Sequence, residues 1–269
     1  MFSVLLSLYI KEQPSSLIQS LNSLFSQTLL PTEIVLVKDG PLTKELDTIV
    51  SDYERRYPIL KVVALAQNQG LGRALNEGLK HCSYDLVARM DTDDIAKPSR
   101  FEKLVRVFDE HPEIDICSAW IDEFEGDLTH IISTRKLPET HNEIAGYAQV
   151  RCPINHPVVM FRKKAVLEAG GYQHFPLFED YYLWMRMLAS GAKFYNIQES
   201  LLYFRTSPDM FKRRGGLKYA MDEFRFQKVM LDMNMISRKQ FMLNVMTRFP
   251  VRIAPNQVRS WLYKKALRK

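Results

Sequence analysis

Cysteine is scarce in this chain. Its 269 residues hold only Cys82, Cys117 and Cys152, far apart and with no Cys-x-x-Cys spacing. That excludes a disulfide framework and a thiolate zinc site, and it fits a reducing, cytoplasmic setting. Long apolar runs are missing too, since nothing approaches the ~18 uninterrupted apolar residues of a membrane-spanning helix. The opening MFSVLLSLYI lacks the basic leader and cleavage site of a signal peptide and reads as a buried strand. Eleven Gly and thirteen Pro are too few for a linker-like or collagen-like chain. With 46% hydrophobic and 25% charged residues, the chain has the composition of a globular protein: one large domain, or one domain with an extension.

What is plentiful is positive charge at one end. The net charge is +6, yet residues 212–269 hold 15 Lys and Arg against 3 Asp and Glu. Residues 1–211 hold 22 basic against 28 acidic residues. An acidic body, 1–211, therefore precedes a basic helical extension, 212–269. Such an extension is drawn to anionic surfaces. Val258, Trp261 and Leu262 recur at helical spacing among Arg259, Lys264 and Lys265. This is a basic amphipathic pattern with an aromatic anchor, suited to lying on an anionic membrane. The same apolar positions also suit packing back on the domain or on a second subunit.

The first 120 residues alternate strand and helix patterns. The spacing predicts strands over Ser3–Tyr9, Glu33–Lys38, Leu60–Leu65 and Asp85–Met90, with helices over Ser15–Gln27, Thr43–Tyr57 and Leu71–His81. Near-continuous apolar strands joined by helices imply a Rossmann-like, mostly parallel central sheet flanked by helices. Ligands then gather at the carboxyl ends of its strands. Further on, Pro98–Glu110, Glu139–Tyr147 and Asp180–Ser190 read as helices, and Ile114–Trp120 and Lys193–Ile197 as strands.

Three constellations carry chemistry. In Arg89-Met90-Asp91-Thr92-Asp93-Asp94 a strand ends in three carboxylates, which repel one another unless a cation neutralises them. A hard ion, Mg²⁺ or Mn²⁺, suits them. In Phe178-Glu179-Asp180-Tyr181-Tyr182 two acids open an aromatic helix, where a carboxylate suits the work of a general base. At the ends of the first three strands stand Tyr9, Asp39-Gly40 and Asn68-Gln69-Gly70. A planar base stacked on Tyr9 would give its imide N–H to Asp39, and Arg73 would stand near phosphates.

Together these segments, with Gln27-Thr28-Leu29, His156-Pro157 and Gly170-Gly171-Tyr172, resemble family 2 glycosyltransferases in order and spacing over residues 3–214. Those are inverting, nucleotide-sugar-dependent enzymes of the GT-A fold, and the likeness is to the bacterial capsule, exopolysaccharide and O-antigen branch. The resemblance implies a UDP-sugar donor, a glycan or lipid-linked acceptor and a place at the inner face of the cell membrane. It implies that Ser7, Tyr9, Asp39, Asn68, Arg73, Asp91, Arg213 and Arg214 bind the nucleotide and that Asp93, with Asp91, holds the metal. Asp180 would be the base, with Glu179 beside it, and His156 and Trp184 would stand on the acceptor side, Trp184 being equally suited to the core. Arg205 and the Arg213-Arg214 pair would fold over the diphosphate. Two positions depart from the pattern: Lys38 replaces a second Asp, making the pocket less acidic, and Ile10 replaces an Asn. A sugar nucleotidyltransferase would carry a Gly-rich loop where Ile10-Lys11-Glu12-Gln13-Pro14 stands. A non-catalytic polyanion binder would rest on the basic tail, but no nucleic-acid-binding motif accompanies it.

Overall fold

The computed structural model describes residues 1–206 and 215–254. Four parallel strands, β1 (Ser3–Leu8), β2 (Glu33–Lys38), β3 (Leu60–Ala64) and β4 (Leu86–Asp91), lie in the order β3-β2-β1-β4. They are linked by α1 (Pro14–Phe25), α2 (Lys44–Arg56) and α3 (Leu71–His81). Side chains alternate across β1. Val4, Leu6 and Leu8 join Leu17, Leu21 and Leu24 of α1 in one core, while Leu5 joins Ala74, Leu75 and Leu79 of α3 in another. Burial on both faces is why these strands read as unbroken apolar runs.

Beyond β4 the sheet changes character. Order along it continues through β8 (Met160–Arg162), β6 (Ile116–Phe124), β9 (Phe194–Arg205) and β5 (Ile95–Ala96), with β7 (Ile131–Arg135) on β6. The β4–β8, β8–β6, β6–β7 and β9–β5 ladders are antiparallel, and β6–β9 is parallel. The parallel half is as the sequence leads one to expect. The antiparallel half depends on β5, β7 and β8, strands of two, five and three residues, too short to show a period. Helices α4 (Arg100–Glu110), α5 (His141–Ala148), α6 (Lys163–Glu168) and α7 (Glu179–Ala189) flank the sheet.

In the described part of the C-terminal extension, α8 (Leu217–Asp232) and α9 (Arg238–Ile253) form a hairpin. Tyr219, Phe226 and Met230 of α8 share a core with Phe178, Tyr181 and Met185 at α7. Phe178 and Phe226 stack with ring centroids 5.0 Å apart. The two hairpin helices meet through Phe224 and Phe241, ring centroids 5.7 Å apart, and through polar groups. Glu223 accepts from Arg248 (2.8 Å) and Arg252 (2.6 Å), and Asn244 Nδ2 donates to Gln227 (2.7 Å) and to the Gln149 carbonyl (2.8 Å).

Candidate active site

The four parallel strands point their carboxyl ends to one edge, and the residues after them meet there. Asp39, just past β2, is buried and is bonded across to the loop after β3. Its carboxylate accepts from Gln69 N (2.7 Å), Gly70 N (3.0 Å) and Asn68 Nδ2 (2.9 Å). Gly40 has φ +87°, and a Cβ on it would lie 2.5 Å from Asn68 N, so only glycine allows this approach. Asp39 thus organises the Asn68–Gly70 loop, and Oδ1, with one N–H on it, keeps acceptor capacity for a ligand. Tyr9, past β1, is 39% exposed. Ser7 is half-buried in register with Asp91, and Arg73 is exposed on the first turn of α3. Lys38 pairs with Asp47 of α2 at 2.5 Å, so its charge is engaged there and does not oppose the acids as the sequence suggested.

At the end of β4, Asp91 accepts from Arg89, a fully buried arginine within the strand. The Asp93 carboxyl is pushed up to about 7 by burial, and then by the charges of Asp91 and Glu12. Glu12 approaches from the loop after β1 and accepts from Thr92 Oγ1 at 2.7 Å. Asp94, fully buried, is raised well above the carboxylate range by burial and by Asp93, and its Oδ2 has no hydrogen-bond partner. Among the described residues no three ligands are gathered into a preformed metal cage. The donor set nonetheless fits Mg²⁺ or Mn²⁺: Asp93, crowded by its acidic neighbours, and Asp91, which shares its charge with Arg89, to be completed by phosphate oxygens. Arg205, expected over the diphosphate, braces this turn instead. It donates through Nε to the Asp93 carbonyl (2.9 Å), through its backbone N–H to Asp94 Oδ1 (2.8 Å) and through its guanidinium to Gln19 (2.6 Å).

A cleft of about 210 Å³ opens among Gly72, His156, Tyr172, Leu177, Glu179 and Asp180. Glu179 and Asp180 occupy the first turn of α7. Burial raises Glu179, and Asp180 adds to the shift. Just before the helix, Leu177 holds φ +65° and is 54% exposed, a left-handed conformation rare for a branched side chain. His156 Nε2 and the Tyr172 hydroxyl are 2.9 Å apart. Burial, assisted by Arg89, holds His156 well below its usual range, so the ring is neutral. Burial raises the Tyr172 phenol, with Arg89 opposing and the Asp180 and Asp91 carboxylates reinforcing.

Trp184 requires a correction. Open to the sequence as core or as acceptor platform, it is core: fully buried with Leu183 and Met187, its ring 5.9 Å from that of His156. Arg213 and Arg214 lie outside the described residues, as do Val258, Trp261 and Leu262. Sequence patterns also pass over Asn76, whose side chain clamps the Tyr172 backbone by donating to its carbonyl (2.6 Å) and accepting from its N–H (2.8 Å). Arg89 did carry a signal, as a charge inside an apolar strand.

Residues 3–170 match the family described as glycosyl transferase family 2, and the chain belongs to it. It is 40% identical over 268 residues to the Escherichia coli UDP-Gal:alpha-D-GlcNAc-diphosphoundecaprenol beta-1,3-galactosyltransferase, covering 100% of this chain and 97% of that one. It is 39% identical to the amylovoran biosynthesis glycosyltransferase AmsE of Erwinia amylovora, over 98% of each chain. Among solved structures, S. aureus TarS 1-349 in complex with UDP-GlcNAc superposes with a TM-score of 0.68 at 18% identity, covering 93% of this chain and 72% of that one. The Pyrobaculum calidifontis mannosyltransferase PcManGT, in complex with GDP-Man and Mn²⁺, gives a TM-score of 0.65 at 13% identity, over 98% of this chain and 75% of that one. These likenesses show the GT-A fold. The chain is a nucleotide-sugar-dependent glycosyltransferase, which sets the nucleotidyltransferase and polyanion-binder readings aside.

Proposed function

We propose that the chain moves a hexose or N-acetylhexosamine from a UDP-sugar to a hydroxyl of a lipid-linked saccharide, in one inverting displacement with Asp180 as base. The observation that carries this reading is the position of Asp180. It lies in the first turn of α7, at the wall of a cleft that His156 and Tyr172 also line. Full-length identity of 40% to an enzyme named for a UDP-sugar and a diphosphoundecaprenol-borne acceptor supports the substrate classes.

Tyr9 would stack on uracil, and Asp39 and Asn68 would hold its edge and ribose. Ser7 and Arg73 would line the donor, with Arg213 and Arg214 assigned to the diphosphate by sequence alone. Asp93 and Asp91 would hold a divalent cation, which when bound offsets charge on the diphosphate. Asp180 takes the acceptor's hydroxyl proton as that oxygen bonds the anomeric carbon. The bond from that carbon to the phosphate oxygen breaks with its electron pair, and UDP departs. Glu179, its carboxyl raised by burial, stands beside Asp180 on the same helical turn. His156, neutral and bonded to Tyr172, shapes the acceptor side. Such a chemistry belongs at the cytoplasmic face of a membrane; among the described residues no helix is long and apolar enough to cross one.

The test is UDP binding by calorimetry with and without Mn²⁺, followed by turnover of UDP-sugars. Wild type should bind UDP in a metal-dependent way and Asp93→Ala should lose the metal dependence. Asp180→Asn should keep UDP affinity while kcat falls by roughly 10²–10⁴-fold. A wild type indifferent to UDP, or a fully active Asp180→Asn, would overturn the assignment.

A further inference from the structure

Helix α9 is apolar on two sides. Its inward side mixes Phe241 and Val245 with polar groups, Asn244 being 2% exposed and Arg248 and Arg252 tied to the buried Glu223. Its outer side carries Met242 (56% exposed), Leu243 (53%), Met246 (68%) and Ile253 (51%). At about 100° per residue, positions 239, 242, 243, 246, 250 and 253 fall within an arc of about 100°. Lys239 is the one charged residue among them, and Pro250 is exposed as well. A helix of a globular protein turns its apolar stripe inward; here a second stripe faces out, over a length of four turns.

Charge around the stripe selects its partner. Lys218, Arg225, Lys228, Arg238 and Lys239 of the hairpin are exposed. Of its acids, Asp222 and Glu223 are buried, which leaves Asp232 outside. Past α9 the sequence continues through residues 255–269 with five Lys and Arg and no acid. A basic rim opposes a second, equally basic copy and favours an anionic sheet of headgroups. Apolar knobs in a basic surround are the composition of a helix that lies in the headgroup region of a bilayer.

We infer that the exposed face of α9 is a bilayer-docking surface for anionic phospholipid, with Met242, Leu243, Met246 and Ile253 entering the acyl boundary. This deepens the reading of a lipid-linked acceptor by naming the surface that brings the enzyme to it. The surface is joined to the cleft through one packed layer, since α8 lies against Phe178 and Tyr181 at the α7 end that bears Glu179 and Asp180.

The experiment is vesicle flotation of the full chain, with phosphatidylcholine alone and with phosphatidylglycerol added. The chain should float with the anionic vesicles. Met242→Gln with Met246→Gln, which alters no charge, should cut the partition coefficient by at least about tenfold, with UDP affinity and melting unchanged. Flotation of that pair equal to wild type would assign membrane contact to the basic residues alone and overturn the inference. A wild type that does not float would also overturn it. So would a wild-type dimer that the Gln pair converts to monomer, because the face would then belong to a second copy. Vesicle binding is read without donor or acceptor, so loss of UDP binding alone would count against the nucleotide assignment and leave this one standing.

Discussion

Two acidic residues at opposite edges of the same sheet are pushed in opposite directions. Asp93, at the carboxyl edge, is raised to about 7 by burial and by its acidic neighbours, the condition of a group prepared for a cation. Glu33, at the start of β2, is lowered to about 2. Burial works against its charge, but Lys61 (2.6 Å), Ser3 (2.5 Å) and Ser83 together outweigh it. A carboxyl with a depressed folded pKa stabilises the fold above its unfolded value. That contribution is fully present above about pH 4.5 and disappears as pH falls through about 2. Glu33→Gln should therefore cost on the order of 2 kcal/mol at pH 7, and the gap to wild type should close on acidification, as read by urea unfolding across that range. A gap independent of pH would mean that the Glu33 charge contributes nothing. Roles of this kind are half-visible in the sequence. The carboxylates of residues 91–94 announce themselves because they are contiguous, whereas Glu33, Lys61 and Ser83 are brought together only by the parallel pairing of three strands.

Among the elements, α3 shows how closely the crossover helices lie on the sheet. A Cβ on Gly78 would fall 2.7 Å from Val37 Cγ2 and still closer to Leu5. Gly78→Ala gains helix propensity, yet overpacking of the buried core should dominate, with a net loss of about 1–3 kcal/mol in urea unfolding. A stabilised variant would show that α3 can shift outward at no cost. Elements with a sustained apolar run or a regular helical period were legible. Glu33–Lys38 and Leu71–His81 are found at the bounds that the periodicity predicts. Short antiparallel pieces were not, because β5 and β8 are too brief for any repeat and owe their existence to β9 and β4. The Asn76–Tyr172 clamp was hidden for a related reason: its partners are 96 residues apart and each looks ordinary alone.

At the scale of the whole molecule, the parallel half supplies the donor edge, α7 brings the acids of the cleft, and the C-terminal hairpin buttresses α7 from behind. Trp184 belongs to that arrangement as core, its indole being the filling that α7 needs against the sheet. The sequence marked residues 212–269 as basic but not how α9 would be oriented, since the hydrophobic pattern of a helix names an apolar side without saying what that side faces. Because α9 is fastened by Glu223, Asn244 and their partners, its outward residues should matter little to folding. Met242→Ser with Met246→Ser should leave the unfolding free energy from urea titration within about 0.5 kcal/mol of wild type, and a larger loss would show that the stripe is packed against something within the chain. A stripe that folding does not require is free to drift from one generation to the next. Any pressure to keep methionine, leucine and isoleucine there would act from outside the polypeptide, and the history of those positions would then be a record of the surroundings in which the enzyme has worked.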